Sequence, residues 1–221
     1  MTVYSEGNYL NDWLKFELDN YQSRELVTVL SGESVVMAEV MSKIIKDIPE
    51  SVDAVTENTG TGDITGITGG AKTKIGTYSL ECTDATSAGS EVFQVKDPDG
   101  AILSDATVGV EYDEPQIGFT INRDGEGTDF AVSDIFTIAV AEGSGKLVPI
   151  NFAAVDGSQD AYGIMVSACD ASGGDEEGVA IVRDAQIVAD YLTWPDGASS
   201  DQKAAALAQL KEKGIVTRDE A

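Results

Sequence analysis

The chain has no histidine, two cysteines and five prolines in 221 residues, and only 14 lysines and arginines stand against 39 aspartates and glutamates. Without histidine there is no Ser-His-Asp or Cys-His nucleophile system and no histidine-ligated metal. Two cysteines cannot build a four-thiolate zinc site. Cys82 and Cys169 lie far apart in unlike segments, and both are expected as reduced thiols, because disulfides need an oxidising compartment. A formal net charge of −25 argues against gripping nucleic-acid phosphates, which takes clustered Lys and Arg. The same argument disfavours anionic membrane surfaces. No stretch approaches the 18 or so apolar residues of a membrane helix. The first 20 residues lack a basic start followed by an apolar run, so no signal peptide is expected there.

What is present is ordinary for a folded protein. Apolar residues make up 42% and charged residues 24%, which is close to globular averages. The length allows one large domain or two modest ones, with roughly 70% of the unfolded surface available for burial. Residues 1–20 are polar, with Tyr4, Tyr9, Leu10, Trp13, Leu14 and Phe16 scattered among them and no lasting period. Two readings fit: a loose terminus anchored on its own domain, or an arm that orders on a partner. From Arg24 to Leu30 a β-branched run is bounded by Ser31-Gly32-Glu33, and Val35–Met41 is expected as the second strand of a hairpin.

Residues 51–76 are rich in Gly and Thr and read as a boundary followed by short strands. Alternating runs then follow at 77–83, 91–95, 116–121 and 134–140, with turns such as Asp97-Pro98-Asp99-Gly100 between them. This pattern predicts a small antiparallel sandwich. Eleven acids and one base, Arg123, fall between Asp97 and Glu142. A hinge at Glu142–Gly145 precedes strand-like runs at 146–150, 162–166 and 179–182. The chain closes with a helix capped by Ser199 and Gln202, with Ala204, Leu207, Ala208 and Leu210 as its expected apolar face and Gly214 as its stop. Ile215–Thr217 can add a terminal strand.

Chemistry-bearing motifs are few. The acid–glycine turns at 97–100, 124–129 and 156–160 resemble calcium loops, but none has the full ligand pattern, and Asp and Gly suit turns in any case. Paired carboxylates for glycoside hydrolysis have no discriminating power among 39 acids. Gly60–Gly70 lacks the Gly-Lys-Ser/Thr ending of a phosphate loop. No enzyme activity, cofactor or metal is expected. Trp194-Pro195 is either a core tryptophan at a bend or an interface anchor.

Several short motifs in order carry a resemblance. Glu6-Gly7-Asn8, Ser23–Thr28 and Ser31-Gly32 resemble the start of the tailed-phage head decoration (capsid cement) proteins of the lambda type. Leu147-Val148-Pro149, Asp156-Gly157 and Ala161–Ile164 are similar to their second half, and Leu192–Ser199 with the Ala-rich helix and Gly214-Ile215-Val216 is similar to their close. The middle block resembles the insertion of longer members. The resemblance implies a mainly β (α+β) fold: a small β-rich decoration domain with a C-terminal helix, residues 21–53 and 145–221, interrupted by an immunoglobulin-like antiparallel β-sandwich at 54–144. Residues 1–20 become a capsid-binding arm. The implied function is a structural virion protein that binds the major capsid protein on the outer surface of the expanded head. It would sit there as homotrimers at local three-fold positions and stabilise the capsid after synthesis in the host cytoplasm. Neither nucleic acid nor membrane is an expected partner. Capsid or trimer contacts are expected at Tyr4, Tyr9, Leu10, Trp13, Trp194 and Pro195. The alternative is a surface carbohydrate-binding or adhesion module, with weak glycan contact through the insertion.

Overall fold

A computed structural model describes residues 9–53, 57–125 and 127–218. The chain divides into two compact units: unit one, residues 1–45 with 144–221, and unit two, residues 46–143.

Unit one begins with a single helical turn α1 (Leu10–Trp13), strand β1 (Leu14–Glu17), a second turn α2 (Asn20–Ser23) and strands β2 (Arg24–Val29), β3 (Ser34–Val35) and β4 (Val40–Lys43). Asp19 caps α2 by accepting from the Tyr21 amide at 2.7 Å. The expected hairpin between 24–30 and 35–41 does not form. Ala38 adopts the left-handed region (φ 66°) and splits the second run into β3 and β4. Neither of these pairs with β2.

Unit two contains β5 (Lys46–Asp47), β6 (Ser51–Asp53), β7 (Gly62–Gly69), β8 (Gly76–Asp84), β9 (Val92–Lys96), β10 (Ile102–Thr107), β11 (Glu111–Asp113), β12 (Ile117–Arg123) and β13 (Ile135–Glu142). They form a five-stranded sheet, β10-β9-β8-β13-β5, and a four-stranded sheet, β11-β12-β7-β6. Every pairing is antiparallel. Alternating residues of both sheets feed one core: Tyr78, Leu80, Phe93, Phe136 and Ile138 from one side, Ile64, Ile117, Phe119 and Ile121 from the other. The ring of Phe93 meets Phe130 edge-on at 5.3 Å, within the favoured range for aromatic pairs. Residues 46–53, grouped with the flanking domain in the sequence reading, carry β5 and β6 and pair with β13 and β7.

The Gly/Thr-rich segment read as a boundary is the central strand β7. Its inward residues Ile64 and Ile67 are three apart instead of two. Between the pairs Thr65↔Thr120 and Thr68↔Gly118, β7 carries one extra residue, and Gly66 (φ 63°) absorbs it. This is a β-bulge. Gly62 permits a close approach, since a side chain there would lie 2.2 Å from the Asn122 carbonyl oxygen.

The chain returns to unit one with β14 (Leu147–Pro149), β15 (Ala161–Met165), β16 (Cys169–Asp170), β17 (Glu176–Ile181), β18 (Ala185–Ile187), a 3₁₀ turn at Ala189–Tyr191, helix α3 (Ser200–Glu212) and β19 (Ile215–Thr217). A closed barrel, β14-β2-β17-β15-β4, is accompanied by a three-stranded sheet, β1-β18-β19. Neighbouring barrel residues serve opposite faces, as strand pleating requires. Val40, Ile164 and Ile181 join the cluster of Trp13, Ile187, Leu210 and Ile215. Met41, Met165 and Ala180 join Val27, Val29 and Leu147.

Ser199 and Gln202 form the expected reciprocal cap of α3, and Gly214 (φ 79°) ends the helix. The buried face differs from expectation. Ala206 and Leu210 are buried while Ala204 and Ala208 are exposed. Alanines on all sides of a helix do not mark a face; the spacing of Leu207 and Leu210 does.

Both cysteines are free and buried, and burial pushes both thiols up. In two of the acid–glycine turns a carboxylate is spent on its own loop. Asp156 accepts from the Ser158 amide and hydroxyl at 2.9 and 2.6 Å. Asp97 accepts from the Asp99 and Ala101 amides at 3.0 and 2.9 Å and from Lys74 Nζ at 2.5 Å. The Lys74 ammonium holds the Asp97 carboxyl down to about 2. Because this folded-state value lies below the unfolded one, the stabilisation is present above about pH 4 and is lost as pH falls toward 2. Acid titration of unit two, followed by denaturant midpoint, is expected to decline through that window, and Asp97→Asn is expected to flatten the decline.

Candidate functional site

Of the six expected contact residues, Tyr4 lies outside the described residues. Tyr9 is 60% exposed, and its backbone N–H donates to Asp12 Oδ2 at 2.7 Å, fixing the start of α1. Leu10, Trp13 and Trp194 are brought together, but in the core of unit one. Trp13 is wholly buried, and its indole N–H meets no acceptor among the described residues, so packing alone holds it. Its carbonyl accepts from the Val188 amide at 2.8 Å. Trp194 is half-buried, stacked on Phe152 at 6.5 Å, with the Lys203 ammonium 6.0 Å from its ring centre. Pro195 lines a shallow concavity of about 380 Å³ beside Pro149, Ile150 and Phe152. The arm expected at 1–20 is therefore not free along its length: from Leu10 onward it is an integral part of unit one.

The same segment carries residues that the sequence reading did not single out as contacts. Phe16 is 51%, Leu18 59%, Tyr21 95% and Leu26 68% exposed. They come from the corner formed by β1, α2 and β2. A bulge in β1 turns the first of them outward. Leu14 opposes Ile187 but Phe16 opposes Gln186, so two residues of β1 answer one of β18. Without that extra residue Leu14 and Phe16 would share a face; with it, Leu14 is buried and Phe16 faces solvent. The corner is clamped. Arg24 grips the Glu17 carboxylate through Nε at 2.8 Å and through its second nitrogen at 2.6 Å, and this pairing raises the Arg24 value further. Ser23 Oγ donates to the Asp184 carbonyl at 3.0 Å and accepts from the Leu18 amide at 3.2 Å. β1 is also the outer strand of its sheet, so one edge of its backbone is open among the described residues. Three large apolar side chains, Phe16 on the outer strand and Leu18 and Tyr21 just after it, make a surface suited to a polypeptide partner.

Unit two offers a different surface. Its six aromatics, Tyr78, Phe93, Tyr112, Phe119, Phe130 and Phe136, are all buried. No aromatic platform for a sugar ring is presented among its described residues. Nor do the described residues of the chain contain a group of three or more acids or cysteines arranged to hold a metal ion. No helix among them is long and apolar enough to cross a membrane.

These features define a β-rich protein with a clamped apolar corner, an open strand edge and an acidic inserted unit. The sequence model of the family described as bacteriophage lambda head decoration protein D matches residues 3–215. The chain belongs to that family, and its role is structural, as a capsid-binding component of the phage head. No curated protein matches the chain. Two crystal structures of Xanthomonas campestris FlgL, in space groups H3 and C2, align at 22% and 24% identity, each with a TM-score of 0.33. The alignments cover 49% and 48% of this chain and 33% of FlgL. The chain thus spans about a third of those proteins, and scores this low carry no structural argument.

Replacing Trp13 separates a core role from a contact role. Trp13→Ala is expected to destabilise unit one by about 3–5 kcal/mol, the usual cost of emptying a large aromatic site. The measurement is a denaturant melt; a melt unchanged from wild type would return Trp13 to the contact surface.

Proposed function

We propose that this protein is a capsid cement. It attaches to the outer surface of the expanded head as trimers at local three-fold positions and bridges adjacent capsomers. Family membership across both flanks of the insertion supports the setting. The single observation that carries the attachment site is the clamped corner with Phe16, Leu18 and Tyr21 exposed on and just after the open outer strand β1.

The mechanism is mechanical. A capsid segment that adds a strand to an open edge is held by main-chain hydrogen bonds, and exposed apolar side chains nearby supply the buried area. Each such contact alone binds weakly. Three on one trimer raise the effective concentration of the second and third contacts by orders of magnitude. Because only the expanded shell presents the matching sites, binding draws the equilibrium toward that state by mass action. Unit two serves as an outward, solvated knob with an immunoglobulin-like sandwich, and its charge keeps crowded copies soluble. The adhesion reading gains nothing from unit two, whose aromatics are spent on its own core.

The decisive assay mixes the protein with purified heads. Saturable binding to expanded, undecorated heads in copies grouped by three is expected, with none on unexpanded heads; equal binding to both would overturn the proposal. A double variant, Leu18→Asp with Tyr21→Asp, removes exposed groups only. It is expected to melt like wild type while its affinity for expanded heads falls about tenfold or more, as when interface anchors are lost.

A further inference from the structure

The concavity beside Trp194 belongs to unit one and shares no residue with the clamped corner. Its walls come from three segments: Glu33 after β2, residues 149–153 at the end of β14, and residues 195–198 with Gln202 at the start of α3. Val40 ties two of these segments together. Its amide donates to the Thr193 carbonyl at 3.2 Å, and its carbonyl accepts from the Ile150 amide at 3.1 Å. The Ala198 amide donates to the Pro195 carbonyl at 3.2 Å, across a turn in which Gly197 takes φ 78°. Pro149 and Pro195 add fixed backbone angles. The walls are thus set before any partner arrives, which lowers the ordering cost of binding.

The lining divides by chemistry. Pro149, Phe152 and Pro195 are half-buried, and Phe152 is stacked on Trp194. Glu33 and Asp196 are the charged residues of the lining; no lysine or arginine is among them. Neither carboxylate makes an ion pair among the described residues. Glu39 adds a third carboxyl in the same region. Burial pushes it up, the Val36 amide draws it down, and Glu33 is near enough to push it up again. Lys203 stands against the Trp194 ring and is not part of the lining. An apolar wall beside unpaired acids is complementary to a segment that carries an apolar side chain next to a cation. At about 380 Å³ the space is at the small end of ligand pockets, so it suits side chains of an extended segment rather than a whole helix.

We infer that this concavity receives a segment of the major capsid protein in which a lysine or arginine stands next to a proline or aliphatic residue. The apolar side chain packs against Phe152 and the two prolines, in the manner of proline-bearing segments in aromatic-lined grooves, and the cation meets Glu33 and Asp196. The inference rests on the proposed attachment to the head and adds a charge-selective contact to the apolar corner. A competing account leaves the two acids as solvated charges that serve solubility alone.

Two experiments on the full chain decide between them. In the first, attachment to expanded heads is titrated for Glu33→Lys with Asp196→Lys, and for a control of equal charge change in unit two, Asp105→Lys with Glu111→Lys. The first pair is expected to weaken attachment about tenfold or more, and the control to leave it unchanged. Denaturant melts check that both variants fold. Glu33→Gln with Asp196→Asn replaces the first pair if that pair melts early, with weakening again expected. Unaltered attachment, or equal weakening by the control, would overturn the inference.

In the second experiment, Ser200→Cys places a thiol at an exposed position between Ala198 and Gln202, while Cys82 and Cys169 are buried. A photoreactive maleimide on that thiol is irradiated on decorated heads, and the crosslinked peptide is identified by mass spectrometry. The expected peptide comes from the capsid protein and carries a lysine or arginine beside a proline or aliphatic residue. A crosslink to a second copy of this protein, to a capsid segment without that pairing, or to nothing would each overturn the inference. Any of these results from a protein that attaches defeats this inference alone. Wild type that fails to attach defeats the proposed function, and this inference with it.

Discussion

The burial of Trp13 sets most of what unit one presents to its surroundings. The indole sits in the cluster that Val40, Ile164 and Ile181 supply from the barrel and Leu210 supplies from α3. Once it is there, α1 has a fixed place and β1 must follow beside β18. The bulge then decides which β1 side chains face out, and the Glu17–Arg24 pair holds the corner so formed. An exposed apolar surface is costly unless it meets a partner, and a mobile one loses entropy when it does. The core residue, the bulge and the ion pair together keep the corner ordered before any partner arrives.

Much of this was legible in the residues, and the failures have physical causes. Strands with clean alternation, such as Tyr78-Leu80-Cys82 and Phe136-Ile138-Val140, declared themselves. So did α3, through Ser199, Gln202 and Gly214. β7 hid because Gly66 inserts an extra residue and breaks the period of two, and because glycine there serves close approach rather than flexibility. β1 hid for the same reason at Lys15. A bulge is invisible to any reading that counts by twos. Trp13 looked like an anchor for a partner because an isolated tryptophan in a polar segment says nothing about which core it enters. The exposed corner was missed because a segment with no lasting period does not say which of its apolar side chains, Phe16 and Leu18 against Trp13 and Leu14, face out until the backbone is known.

Charge follows the division into units less steeply than a simple contrast would suggest. Unit two holds 19 acids and five bases; unit one holds 20 acids and nine bases over a longer span. What differs is arrangement. Three of the bases of unit two, Lys74, Lys96 and Arg123, pair within their own unit, leaving its rim acidic. Five of the bases of unit one line depressions around Tyr162 together with Glu25, Asp160, Asp184 and Glu212, so opposite charges are interleaved there.

The splice point between the units has a consequence for how freely this protein can vary. β4 leaves unit one beside β14, which returns to it. Lys43 opposes Leu147, and the Ile44 amide donates to the Lys146 carbonyl at 3.1 Å. On the other side of the junction Lys46 opposes Glu142. A floppy excursion of 98 residues would burden barrel closure by roughly 4 kcal/mol of loop entropy, from (3/2)RT ln n. An excursion that folds on itself with adjoining ends behaves, for the barrel, like a tight turn. The size and content of the excursion are thereby uncoupled from the stability of the barrel, and lineages can rebuild one without disturbing the other.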